Sequence, residues 1–209
     1  GIYKAYKTGT RQGTAQRGRY GTRPVSALAR DARRATKEVA YLRSLINVEF
    51  KHKDTVVDSQ MSSIGTIDLL NGLKKGDAAT DRIGQTIRMK SVEINNMITG
   101  FETADSTMYR MLLVFDKQPS GSTPTMTDLF ENTTYPWISA KNLANRSRFK
   151  ILRDVRKTMG DDGPNTSHIK LFLKLDEHVV FKGDAQNIAD ISTGALWLIH
   201  VSNHTTVAP

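Results

Sequence analysis

The spacing of hydrophobic positions changes near residue 47. Before it, Leu28, Ala32, Ala35, Val39, Leu42 and Ile46 recur every three or four residues, the stripe of one helical face. Ser26 follows Pro24 and Val25, and its hydroxyl can accept from the free N–H groups that open a helix. A helix is therefore predicted over 26–46. After it the period falls to two. Strands are expected at 48–57, 87–101, 107–115, 149–158, 169–175, 178–181 and 195–202. Alternation is cleanest in Ile169, Leu171, Leu173 and Leu175, with Lys170, Lys174 and Asp176 opposite. It is also clear in Tyr109, Met111, Leu113 and Phe115. Loops with Gly or Pro at 71–84, 118–125, 160–164 and 183–194 separate these runs, and a short helix is expected from Thr127. Many short strands with turn-rich connections and no repeat give an all-β antiparallel sandwich or jelly roll. The 118–145 connection, with Pro119, Pro124, Pro136 and Trp137, is long for a compact domain. A segment of that length builds subunit contacts or acts as a lid.

Charge divides the chain at nearly the same place. Residues 1–43 hold eleven of the thirty Lys and Arg and two of the twenty-one acids, which leaves nineteen of each sign in the remainder. The whole net charge of +9 thus sits in the first fifth of the chain. A neutral body with a cationic arm reads as a folded module that tethers a polyanion, since each phosphate neutralised releases counterions. Residues 1–23 contain five Gly and no Leu, Val, Met or Phe, too little apolar surface to offset ordering entropy. The cations Lys4, Lys7, Arg11, Arg17, Arg19 and Arg23 would meet phosphate there, and Tyr3, Tyr6 and Tyr20 could stack on unpaired bases. Arg30, Arg33, Arg34 and Lys37 extend the cationic series over the predicted helix, giving it one face for protein and one for phosphate. The organisation expected is a basic arm over 1–25, an amphipathic helix over 26–46 and a β-domain over 47–209.

Candidate catalytic chemistry is sparse. There are no cysteines, so no disulfide, thiolate metal site or cysteine nucleophile can form. Walker, GxSxG and HExxH motifs are missing, and no apolar run is long enough to span a bilayer. His200 and His204 share a face on a strand but lie about 13 Å apart, too far for one metal ion. Asp161 and Asp162 before Gly163, and Asp184 and Asp190 in another loop, are oxygen-rich in the manner of calcium loops and equally in the manner of ordinary turns. No resident cofactor or metal site is assigned, with structural calcium the one ion these loops would suit. A cupin-type enzyme would need His and Glu converging from facing strands, and the sequence offers no such set. The expectation is a protein without enzymatic activity.

Five stretches carry a family likeness. They are Asp81-Arg82-Ile83-Gly84-Gln85-Thr86-Ile87-Arg88-Met89-Lys90, Arg110-Met111-Leu112-Leu113-Val114-Phe115-Asp116-Lys117-Gln118-Pro119 and Asn145-Arg146-Ser147-Arg148-Phe149-Lys150-Ile151-Leu152-Arg153-Asp154, then residues 180–183 and 191–198. In order, they resemble the coat proteins of small circular single-stranded DNA viruses that encode a replication initiator (geminivirus-, genomovirus- and circovirus-like). The architecture is also similar to the coat of satellite tobacco necrosis virus, whose genome is RNA. The resemblance implies an eight-stranded jelly roll whose copies, commonly 60, close an icosahedral T=1 shell. It implies single-stranded DNA packaged by the basic arm, a place in the virion, and a nuclear stage during assembly. The cations here are spread among Gly, Thr and Gln rather than packed in one block, which departs from many such arms. Arg146, Arg148 and Arg153 read as structural or interface residues before nucleic-acid contacts. The rival reading is a non-viral nucleic-acid-binding β-domain with a cationic tail, which would carry its basic patch on the folded body.

Overall fold

The computed structural model describes residues 25–45, 50–100, 106–160 and 165–204. It divides into a unit ending at Phe50 and a unit beginning at Lys51. The first contains α1, Val25–Leu45, which matches the predicted helix within one residue at each end. No helix of the described residues is long and apolar enough to cross a membrane.

The second unit is a two-sheet antiparallel sandwich of the jelly-roll type. Its strands are β1 Thr66–Leu69, β2 Thr86–Thr99, β3 Ser106–Asp116, β4 Phe149–Gly160, β5 Thr166–Phe181, β6 Ile191–Thr193 and β7 Ala195–Ser202, with a one-turn helix α2 at Met126–Leu129. One sheet runs β1-β7-β3-β4 and the other β2-β5-β6. The first strand therefore lies beside the last, and the chain crosses between sheets four times, the winding of a jelly roll. Seven strands stand among the described residues, where eight were expected.

Two expectations need correction. Residues 50–57 form no strand, because the place beside β7 is filled by Thr66–Leu69, with Thr66 opposite His200 and Leu69 opposite Trp197. The runs 169–175 and 178–181 are one strand, since β2 pairs with β5 from Thr86↔Val180 to Thr99↔Thr166. A register shift between Met89 and Ser91 sets Lys90 against both Leu175 and Asp176, so the polar Asp176 sits in an irregularity of a continuous strand, where it was read as its end.

The core lies between the sheets, but β3 and β7 are buried on both faces. Tyr109, Met111, Leu113 and Phe115 pair with Ser202, His200, Leu198 and Leu196 on the inner face. The alternate residues Leu112, Val114, Trp197, Ile199 and Val201 are equally buried. The 117–148 connection covers that outer face, contributing buried Leu129 and Phe130. A Cβ added at Gly65 would meet both Met126 and Val201, which places α2 over β7. The long connection is thus a second cover on a central sheet, and this explains why β3 and β7 contain near-continuous apolar runs.

Candidate nucleic-acid interface

On α1 the positions 30, 33, 34 and 37 fall within one arc of the helix at 3.6 residues per turn, while 28, 32, 35, 39 and 42 fall on the opposite arc. Arg30, Arg33, Arg34 and Lys37 are all exposed. Arg34 donates from Nε to Glu38 at 3.2 Å, a one-turn surface pair that screens one of the four cations weakly. Thr36 bonds back to the Ala32 carbonyl at 2.9 Å. The apolar arc is exposed too: Leu28, Val39 and Leu42 are 54%, 48% and 59% accessible. The helix thus carries a charged arc and an apolar arc, both exposed. Lys4, Lys7, Arg11, Arg17, Arg19 and Arg23 lie outside the described residues, as do Asp161 and Asp162.

Each of the three long motif stretches holds one arginine that bonds to the body, Arg82, Arg110 and Arg148, while Arg88, Arg146 and Arg153 are exposed. Arg110 is 1% exposed and holds the Asp154 carboxylate with Nε and Nη2, at 3.0 and 2.8 Å. Its Nη1 donates to the carbonyls of Pro136 and Ser139, at 2.8 and 2.7 Å, and its guanidinium lies 4.9 Å from the Phe130 ring centre. One side chain thus ties β3 to β4 and to the covering loop. Burial pushes the Asp154 carboxyl up, but the Arg110 bonds, with Lys141 and Arg156 nearby, outweigh it and hold it below its ordinary value. Arg148 makes the same two-pronged bond to fully buried Asp116, at 3.0 and 2.7 Å, and lies over Phe149. Arg82, 2% exposed, donates to the carbonyls of Leu73, Gly84 and Gly183, with its guanidinium 4.3 Å from the Phe181 ring centre. All three are clamps: Arg82 satisfies buried backbone carbonyls, Arg148 a buried carboxylate, and Arg110 both. This supports the structural reading of Arg148, and it adds Arg82 and Arg110, whose roles the sequence did not separate. The available signal was a charged residue inside an unbroken apolar run, as in Tyr109-Arg110-Met111-Leu112-Leu113.

A polar chain also crosses the core between the sheets. Asn96 of β2 donates to the Tyr109 hydroxyl at 2.7 Å, and that hydroxyl bonds His200 Nδ1. Burial lowers His200 to about 4 and raises Tyr109, the latter opposed by the Asn96 bond. At neutral pH His200 is thus uncharged, its Nδ1 accepting from Tyr109. His204 lies elsewhere, against Thr107 at 3.0 Å, so the two histidines do not form a joint site. No group of three or more His, Asp or Glu able to hold a metal occurs among the described residues. Asp184, a calcium candidate, instead faces Arg82 at 3.8 Å and Lys75 at 3.9 Å.

Comparison with known proteins bears on the chain as a whole. The model of the family described as satellite tobacco necrosis virus coat protein matches residues 27–208. The capsid protein of satellite tobacco necrosis virus 1 is 22% identical over 175 residues, covering 82% of this chain and 88% of that protein.

Proposed function

The chain belongs to the satellite tobacco necrosis virus coat protein family, and from that premise we propose that it closes a small icosahedral shell and packages single-stranded nucleic acid through its basic arm and helix. Membership gives a structural role in a capsid, association with further copies of itself, and a place in the virion. The observation that carries packaging is the charge split: a neutral body behind an arm and helix that hold all of the +9. Sixty such copies would bring roughly 540 positive charges to the shell interior, enough to neutralise much of a genome of one to a few kilobases. A neutral body suits closure, because strongly charged bodies would repel each other. The phosphate contacts proposed are Lys4, Lys7, Arg11, Arg17, Arg19, Arg23, Arg30, Arg33, Arg34 and Lys37.

The matched family is that of a satellite virus with an RNA genome, so it lends no support to the DNA cargo or the nuclear stage that the DNA-virus resemblance implied. Phosphate-directed charge does not read the sugar, and the proposal is for single-stranded nucleic acid of either kind. The test is size-exclusion chromatography with light scattering and absorbance at two wavelengths, before and after deletion of residues 1–43. A megadalton particle with nuclease-protected cargo that disappears on deletion supports the reading, and RNase or DNase digestion of the extracted cargo identifies it. A monomer or trimer that never closes a shell, with or without added single strands, refutes it and favours the non-viral binding module.

A further inference from the structure

Resting on the capsid reading, we propose that residues 54–58 of one copy add as an antiparallel strand to the open edge of β4 in a second copy. Two unpaired features of the same unit suggest this. The segment 51–58 alternates in exposure largely as a strand does, with Lys51, Lys53 and Val57 half-buried, His52, Asp54, Val56 and Asp58 exposed, and Thr55 the one odd position also exposed. Lys53 bonds the Gly72 carbonyl and Val57 packs on the core, so the odd positions hold the segment against its own body. Yet among the described residues no backbone hydrogen bond joins 52–61 to another segment, and Val56 is 91% exposed. Such a segment has the conformation of a strand and the local sequence of one, Thr55-Val56-Val57, without a sheet.

The other feature is β4. It ends its sheet, pairing on one side with β3 and on the other with nothing among the described residues. An open edge of twelve residues is a template for another chain. Its Arg153 and Lys157 are exposed and make no ion pair among the described residues, and half-buried Val155 lies between them. Asp54 and Asp58 are likewise exposed without an ion pair there, with Val56 between. Both triads therefore read charge, Val, charge at alternate positions, and each pair of charges is about 13 Å apart along a strand. In antiparallel register Asp54 meets Lys157, Val56 meets Val155, and Asp58 meets Arg153. Charges of opposite sign and one apolar pair coincide in a single alignment, whereas a shift by one residue leaves one match at most, Asp54 with Arg156 in one direction or Val57 with Val155 in the other. The contact joins different surfaces of the two copies, the kind that closes rings under rotation.

The absence of native cysteine makes the test direct. Val56→Cys and Val155→Cys are made as separate chains, mixed before assembly and oxidised. Opposed residues in an antiparallel pair have Cα atoms about 4.5–5.5 Å apart, within disulfide reach. A disulfide dimer that needs both variants is the expected result, and the double variant should give a ladder of linked chains. Arg153→Glu with Lys157→Glu should weaken association about tenfold, and adding Asp54→Lys and Asp58→Lys in the same chain should restore it, with tryptophan fluorescence reporting an intact fold. Particles that assemble without the 56–155 cross-link, a double variant that links within one chain, or a charge reversal that is not restored each overturn this inference and leave the capsid reading standing. A wild-type protein that never associates overturns both.

Discussion

The buried His200 should make the fold acid-sensitive through one identifiable proton. In the folded chain Tyr109 donates to His200 Nδ1 and accepts from Asn96, so the three groups are satisfied only while the imidazole is neutral. Protonation would bury a charge and leave the Tyr109 proton without its acceptor. A lowering from 6.5 to about 4 corresponds to about 3 kcal/mol. Because the unfolded chain binds this proton more tightly, the contribution is fully present above pH 6.5. It declines as the pH falls from 6.5 to about 4 and is gone below. His200→Gln keeps an acceptor for Tyr109 and removes the titration. Urea unfolding followed through the buried Trp197 would give both stabilities at pH 7.5 and pH 4. Carboxylates such as Asp154 weaken both proteins alike and cancel in the difference. The variant should therefore gain about 3 kcal/mol relative to the wild type between the two pH values. A difference that stays constant would refute the argument that His200 is held neutral by the core.

Arg110→Ala should cost about 3–5 kcal/mol by thermal or urea unfolding, because it strands Asp154 and two loop carbonyls. Replacing Arg30, Arg33, Arg34 and Lys37 by Gln should reduce the salt dependence of single-strand binding by about 3 in log–log slope while leaving the unfolding midpoint of the β-sandwich unchanged, measured by fluorescence anisotropy and urea titration. Gly194 has φ 83°, and a Cβ there would sit 2.7 Å from the His178 carbonyl oxygen. Gly194→Ala should therefore destabilise the fold by about 1–3 kcal/mol, read from the thermal midpoint.

Much of the fold follows from local pattern. The heptad-like stripe from Leu28 to Leu42 specifies α1 because its spacing matches the helical turn whatever surrounds it. The alternation from Ile169 to Leu175 specifies a strand for the same reason. The charge split, visible in composition, locates the proposed nucleic-acid contacts without any coordinates. What the pattern could not assign was pairing. The pattern suggested a strand at 48–57 and none at 66–69, yet the closed sandwich gives the place beside β7 to Thr66–Leu69. The run from Arg110 to Asp116 looks one-sided from its inner residues, yet the 117–148 connection buries its outer face as well. That cover decides that Arg110 is a buried clamp, since a guanidinium is stable inside only where carboxylates and carbonyls from distant segments meet it. His200 and Tyr109 stand 91 positions apart, and their bond exists because β7 pairs beside β3. Periodicity and charge are properties of neighbours in sequence, so the sequence by itself determined the helix, the β class and the basic arm. The satisfaction of buried polar groups is a property of neighbours in space, and only the tertiary structure decided it.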